Sequence, residues 1–532
     1  MAIRVSNLRL PLDEPESALP DRLVKLLGAP PASWRILRKS LDARVKEAFH
    51  FVYTVEVRLH EDEAKVVAGA TKKHADALFE LREEPAFLFP AAGRTPSKHR
   101  PVVIGSGPAG LVAGYFLAKH GYRPIVLERG RAVRDRIRDV KAFDAGGPFH
   151  PDSNYLFGEG GAGTFSDGKL TCRGAGPEVR RVLELFAECK GKPSILYDYR
   201  PHLGSNRLPA VVKAIRRRIE EMGGEVRFTC RVEDLDYGPE GIRGLGTSSG
   251  YIPTEVVVLA IGHSARDTLE MLVRRGVPMV QKPFQMGVRI EQPQETVNRV
   301  KYGNTAHERR LGAADYNLVA RGPHDLFTFC MCAGGYVIPS VSDAGYFCTN
   351  GMSLSMHDSP YANSGLVVTV PVEEFPGTDV LAGVRLQAQY EKLAYELGRG
   401  EYACPIQSAG DFMAGRVSRS LPASSYPRGL VLAEIASLVP PFIVEALKQG
   451  LPILDRKWHG RFLRDATLVA PETRGSSPIR MPRDSASRET PGIAGLYPVG
   501  EGAGYAGGIV SAGVDGLKTA MAIAAKYAVA VA

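Results

Sequence analysis

The chain has 532 residues, 44% of them hydrophobic and 23% charged, and a net charge of +9. These proportions exclude a disordered or fibrous protein and allow two or three packed domains, and so modest a charge does not point to nucleic acid. Seven cysteines, an odd number without framework spacing, exclude a disulfide scaffold and predict a reducing compartment, the cytoplasm.

Residues 1–95 read as a small α+β domain. Strands are expected at 3–5 and 51–57, and helical patterns run at 20–27, 33–41 and 71–79. No apolar signal-peptide core is expected at the start. The charged stretch 38–44 reads as the solvated end of a helix, with a docking surface as the alternative. Residues 89–101, rich in Pro, Gly and Ser, read as a linker.

Val102, Val103 and Ile104 then form a short apolar run, a buried parallel strand. Gly105-Ser106-Gly107-Pro108-Ala109-Gly110 follows, a G-x-G-x-x-G turn opening a helix to Lys119, and residues 124–127 supply a second strand ending in Glu128. Gly105 allows the tight turn, Gly107 lets backbone approach a pyrophosphate, and Gly110 lets helix pack on strand. Glu128 stands where a carboxylate accepts ribose hydroxyls. Strand, turn, helix, strand and acid in order predict a dinucleotide site, with Arg129 beside the acid.

A basic helix is expected at 134–143. A glycine-rich run follows, from Asn154 to Lys169, and suggests backbone lying flat against a planar ligand. Gly163 and Thr164 are its candidate cofactor contacts, and Ser166 and Lys169 in its polar end are candidate catalytic residues. The helix at 208–222 carries Arg216-Arg217-Arg218 as a solvated face. A strand at 225–232 ends at Val232, and a buried strand at 255–261 runs into Gly262; both ends are candidate cofactor contacts. From about 270 to 480 the βαβ rhythm stops. Strand-like stretches at 286–290, 326–331, 335–339 and 366–371 surround one helix at 380–398, so this is an inserted domain.

Inside the insertion, Cys330-Met331-Cys332 lies on a strand whose alternation puts both sulfurs on one face. Phe327, Phe329, Met331 and Ala333 are apolar and predict raised thiol pKa values, hence two packed small residues in place of a redox pair or metal site. Arg474, amid hydroxyls in residues 472–478, is the third candidate catalytic residue, its guanidinium fork suiting a carboxylate or phosphate. Residues 495–501 form a strand ending in Gly500-Glu501. A glycine-rich turn leads to Gly508-Ile509 and a C-terminal helix. No window of about twenty residues is apolar enough to cross a bilayer; the best, 509–532, is interrupted by Asp515, Lys518 and Lys526.

The order of the fingerprint, Glu128-Arg129, residues 256–262 and residues 497–508 resembles FAD-binding flavoproteins related to glutathione reductase. More narrowly, residues 157–169, 328–334, 471–478 and 497–516 look like a family known only as uncharacterised FAD-dependent dehydrogenases, with wider relatives like geranylgeranyl reductase and tricarballylate dehydrogenase. The resemblance implies an α/β fold: a Rossmann-like FAD-binding domain (96–270 and 481–532), an inserted α+β substrate domain (271–480) and the small N-terminal α+β domain (1–95). It implies FAD as cofactor, with Glu501 on the flavin-side pyrophosphate or ribityl where relatives carry Asp, and the helix from Gly508-Ile509 aimed at the flavin. It leaves the substrate open.

The expectation is an FAD-dependent oxidoreductase acting on a small anionic or lipid-like molecule docked over the flavin. With no second fingerprint in 270–480, transient NAD(P)H or a protein donor are the candidate electron sources beside the substrate. The alternative is a flavin-bound regulatory or RNA-modifying assembly component that docks through its N-terminal domain.

Overall fold

The computed structural model describes residues 2–45, 49–74, 76–83, 85–172, 174–303 and 308–529. Three sheets organise them. The first is antiparallel, in the order Ser33–Asp42, His50–Arg58, Ala2–Pro11, Leu78–Arg82. Alternate apolar residues (Ile3, Val5, Val55, Val57) face the helix Leu19–Leu27, whose Leu19 and Leu23 close a small core.

Two expected helices here are corrected. Residues 33–41 form an edge strand paired with His50–Arg58. Its register shifts between Ile36 and Arg38, so the apolar residues lose strict alternation and imitate helical spacing. The charged stretch 38–44 therefore begins on a strand, where no helix end exists to be solvated. The helical pattern placed at 71–79 belongs to Glu63–Lys73, capped by the Asp62 carboxylate accepting from the N–H groups of Ala64 and Lys65, and Leu78–Arg82 is a strand. Residues 89–101 do not swing free either. Phe89 stacks on the His120 ring at 3.6 Å, and the N–H groups of Gly93 and Thr95 donate to Ala524 and Lys526.

The second sheet is parallel, in the order Leu496–Pro498, Val257–Leu259, Val102–Ile104, Ile125–Leu127, Glu225–Arg227. Each strand is only three residues long, and the four inner and late strands are buried on both faces, the pattern of continuous apolar runs that parallel sheets require. The helices Pro108–Lys119, Leu208–Glu221 and Ile509–Lys526 share a core on one face. A meander, Val232–Gly238, Gly241–Thr247 and Gly250–Pro253, closes the other. The strand order reverses between Val102–Ile104 and Val257–Leu259, which opens a crevice at their carboxyl ends.

The third sheet has seven strands in the order Val319–Ala320, Leu326–Cys332, Tyr361–Val370, Phe284–Pro293, Thr467–Glu472, Cys404–Ser408, Leu430–Leu432. The helices Ala382–Leu397 and Pro441–Lys457 pack into its core. The chain enters and leaves this part through neighbouring strands, Val280–Gln281 paired with Ile479–Arg480. The expected helix at 380–398 is present as Ala382–Leu397. No helix of the described residues is long and apolar enough to cross a membrane.

Candidate cofactor and active site

The fingerprint turn sits at the crevice because the neighbouring strand leaves no room for a side chain. A Cβ on Gly105 (φ +98°) would lie 2.4 Å from the Ala260 carbonyl oxygen, and one on Gly110 would lie 1.9 Å from that of Gly105. At Gly107 the nearest atom to such a Cβ is the Gly161 Cα at 4.0 Å, so that face stays open. No side chain caps the helix Pro108–Lys119, nor the C-terminal helix Ile509–Lys526 that packs against it. Their starts are close: Gly163 would place a Cβ 3.4 Å from Ile509 and 3.5 Å from Pro108, and Gly500 would place one 3.1 Å from the Ala109 Cβ. Two uncapped helix N-termini thus face one crevice, donors and positive dipole ends suited to a pyrophosphate and to a ring that gains charge.

Glu128 is 5% exposed and has four donors. Its Oε2 accepts the N–H (3.0 Å) and O–H (2.7 Å) of Ser106; its Oε1 accepts the N–H groups of Gly130 (2.9 Å) and Gly158 (3.0 Å). The carboxylate therefore pins the glycine run onto the fingerprint. Arg129 is engaged too, donating to Asp152 and, with two nitrogens, to Asp267, over the Phe157 ring at 4.3 Å. Val232 is buried in the core between the meander and the parallel sheet. Gly262 touches the turn after Glu501, where a Cβ on Gly502 would lie 2.4 Å from the Gly262 oxygen. Glu501 keeps 31% of its side chain open and has His263 Nδ1 at 3.6 Å. Gly500 is fixed by its N–H on the Asp515 carboxylate (2.8 Å), which Arg483 and Arg488 also grip; Asp515, read above only as a break in an apolar run, anchors the acid strand.

Arg136, which no sequence motif singles out, is fully buried. Its Nε donates to Asn154 and its Nη1 to the carbonyls of Gly158, Glu159 and Gly161, so one guanidinium gathers the glycine run from beneath. Gly158 (φ +115°) must be glycine because its Cβ would meet Arg136 Cδ at 2.4 Å. A signal existed: Val133, Arg136, Val140 and Phe143 share the buried face of the helix Val133–Asp144, and a charge in that register needs a reason. The basic run 216–218 is likewise not wholly solvated, since Arg216 Nε pairs with the buried Glu159 at 2.7 Å.

Beyond Gly163 the run turns into a polar cluster. Ser166 is spent on the turn, donating to Gly163 (2.7 Å) and accepting from Gly168 (3.1 Å). Lys169 reaches across to the third sheet, where its Nζ donates to the Met331 carbonyl, and it keeps 35% of its side chain open. Burial works against its charge, but Asp167 and the sulfurs of Cys330 and Cys332 outweigh that and hold the ammonium. Asp167 is 2% exposed; its Oδ1 accepts from the Ser353 hydroxyl, while Oδ2 has no hydrogen-bond partner among the described residues and lies 3.7 Å from Lys169 Nζ. His357 Nε2 is 3.7 Å from Asp167, and the His357 and His202 rings are 4.1 Å apart, with both Nε2 atoms buried and unpartnered among the described residues. Burial, then His202, pushes His357 down to about 4, so it is neutral at pH 7. Asp167, His202 and His357 carry no spacing signal; three separate segments bring them together.

Two sequence expectations change here. Arg474 was expected to offer its fork to a ligand, but its side chain is 5% exposed and the fork is closed on Glu391 (3.0 and 2.8 Å), with Ser342 at 2.5 Å. The cysteines were expected in apolar surroundings. Their neighbours in space are Lys169, Arg289, Asp167 and Glu472, and the register shifts between Phe329 and Cys332, so strict alternation fails at Cys330.

Three family models match parts of the chain: an NAD(P)-binding Rossmann-like domain at residues 103–155, a C-terminal domain-like region of FAD-dependent proteins at 283–475, and a domain of unknown function at 2–58. An uncharacterised protein of Clostridium beijerinckii is 41% identical over 535 residues, 99% of each chain. Among solved structures, glycine oxidase from Bacillus cereus matches at 12% identity over 80% of this chain and 95% of its own, with a TM-score of 0.33. L-proline dehydrogenase from P. horikoshii matches at 13% over 81% and 93%, with a TM-score of 0.31. CtdE in complex with FAD matches at 11% over 80% and 83%, with a TM-score of 0.32.

Proposed function

The chain belongs to the family of that uncharacterised clostridial protein, a family of FAD-dependent proteins, and on this premise we propose that it is an oxidoreductase acting on a small carboxylate-bearing molecule held by Lys169. FAD is the cofactor, and the residues present fit it. The open face of Gly107 and the uncapped helix starts at Pro108 and Ile509 suit its pyrophosphate, Glu128 its adenosine ribose, and the half-open Glu501 its ribityl side. When bound, FAD supplies two-electron redox chemistry; the protein supplies binding, orientation and electrostatics.

One observation carries the reading. Lys169, with a third of its side chain exposed, stands beside a buried carboxylate oxygen and two buried imidazole nitrogens that have no partners among the described residues. Buried polar groups left unpaired are costly, so their convergence around one lysine supports a site built for a ligand. Lys169 holds the substrate's anionic group. A substrate that gives up two electrons as a hydride also releases a proton, and the neutral His357 accepts it at Nε2, where Asp167 at 3.7 Å steadies the resulting charge.

The test is anaerobic mixing of the FAD-loaded protein with NADH, NADPH and a panel of small hydroxy, amino and unsaturated acids, followed at the flavin absorbance band. One class of acid is expected to change the flavin's redox state, and Lys169→Met should raise its KM about tenfold to a hundredfold, as the loss of a charge-assisted bond predicts. A flavin that answers only to NAD(P)H, or a Lys169→Met protein with unchanged KM, would overturn the proposal.

A further inference from the structure

We infer, on the reading that Lys169 holds the substrate's carboxylate, that His202 determines specificity: its Nε2 accepts a hydrogen bond from a hydroxyl or amine on that same molecule. The substrate class narrows to small acids that also carry an O–H or N–H donor.

Lys169 and His202 stand directly opposite each other in an isolated antiparallel bridge. The N–H of Leu170 donates to the Pro201 carbonyl (2.8 Å) and that of Leu203 to the Gly168 carbonyl (3.1 Å), so Lys169 and His202 form the narrow, non-hydrogen-bonded kind of pair. Side chains of such a pair leave one face of the backbone, with Cβ atoms roughly 4.5–5.5 Å apart. Glycines permit the approach. A Cβ on Gly168 (φ +73°) would lie 2.8 Å from the Gly204 nitrogen, and one on Gly204 (φ +78°) would lie 2.3 Å from the Ser355 nitrogen. The second contact, with the Ser355 N–H donating to Asn206 Oδ1 (2.9 Å), brings the segment that carries His357 onto the same turn.

The two imidazoles have different work. His202 Nδ1 is hydrogen-bonded to the Arg200 carbonyl oxygen at 3.3 Å. A carbonyl only accepts, so Nδ1 carries the proton, and the neutral ring keeps its lone pair at Nε2. That atom is buried and has no partner among the described residues. The His357 ring lies against it, centroids 4.1 Å apart and planes at 39°, and makes no such bond. His357 Nε2 turns instead to Asp167, 3.7 Å away. His357 thus receives a proton beside a carboxylate, while His202 holds an acceptor that lacks a donor. A buried acceptor left bare is costly, and the molecule that Lys169 draws in is placed to supply the donor. An acid with neither O–H nor N–H leaves that lone pair bare and binds less well for that reason.

The probes are four acids on one three-carbon skeleton: propionate, which has no donor, and lactate, 3-hydroxypropionate and alanine, which have one. Each is titrated by calorimetry into FAD-loaded protein whose flavin has been reduced and kept free of oxygen, so that no probe is oxidised. The pH is held at about 8, above the ordinary titration range of histidine. A donor-bearing acid should bind about tenfold tighter than propionate, and the tightest of the three identifies the donor and its position. His202→Phe keeps a ring without an acceptor and should remove that preference; His202→Gln offers an acceptor again and should recover it. Lys169→Met should weaken all four acids and leave the preference in place. Equal binding of the four acids, no measurable binding of any, or a preference that survives His202→Phe would overturn the assignment of His202. Equal binding that Lys169→Met weakens throughout would leave the proposed function standing without it, whereas lactamide binding as tightly as lactate would remove the carboxylate anchor and both readings with it. Should His202→Phe fail to fold, the wild-type preference decides alone.

Discussion

Glu128, proposed above as the ribose acceptor, already has work in the structure: it satisfies three backbone N–H groups, of Ser106, Gly130 and Gly158, that would otherwise be buried without acceptors. Glu128→Ala should therefore weaken FAD about tenfold to a hundredfold and, in the FAD-free protein as well, lower stability by about 1–3 kcal/mol for each donor left bare. Melting of both forms is the measurement. A variant whose FAD-free form melts like wild type would reduce Glu128 to a cofactor ligand alone. Lys169 is tied in a similar way, its Nζ donating to Met331 while about a third of its side chain stays exposed. A long flexible stem makes the two compatible.

Between elements, the ion cluster around Glu391 joins the helix Arg266–Arg274 of the nucleotide part to Ala382–Leu397 of the insertion. Arg266 Nη2 and Arg474 Nη2 both reach Glu391 Oε2 at 2.8 Å. Breaking one partner of a buried pair strands the other, which costs about 3–5 kcal/mol. Arg474→Lys keeps the charge but loses the two-pronged contact, so its melting temperature should fall while FAD stays bound. The same cluster sets an acid limit. Burial opposes the Glu391 charge, but Arg266 and Arg474 hold its pKa down to about 2, against 4.5 unfolded. A depressed carboxylate stabilises above the unfolded value and loses that contribution as pH falls from about 4.5 towards 2. Arg474→Lys should flatten this acid limb of a melting-versus-pH curve; an unchanged limb would assign the acid loss to other carboxylates.

At the scale of the whole molecule, the crevice is shared by segments from the two ends of the nucleotide part: the fingerprint at Gly105–Gly110 and the Gly500–Ile509 turn. A ligand that touches both stabilises the fold by linkage, about 2.7 kcal/mol at a hundred times its Kd. Stripping FAD should lower the melting temperature, and adding it back should restore it in step with its concentration. Coincident melting of the stripped and loaded proteins would mean that the cofactor does not bridge these segments. The glycine run adds a third side, held by Arg136 from below and by Glu128 from the front.

What the sequence by itself determined is what neighbouring residues impose on one another. Strand, glycine turn and helix from Val102 to Lys119, with the second strand Ile125–Leu127, are contiguous and were legible in one dimension, whereas the Ala260 carbonyl that Gly105 must clear lies at the end of a distant strand. The helix Ala382–Leu397 was legible for the same reason, a long period undisturbed by partners. The strand Ser33–Asp42 was not, because a register slip against His50–Arg58 erased its alternation. The chemistry of the cleft was decided in three dimensions. Cys330 sits among apolar residues along the chain, yet the groups that draw its thiol below the ordinary range are Cys332, then Lys169 from the glycine run and Arg289 from another strand. Arg474 looked free in the sequence because its partners Glu391 and Ser342 lie far along the chain. Local geometry is written in adjacent residues, but the field at a titratable group is a sum over everything that packing brings near it.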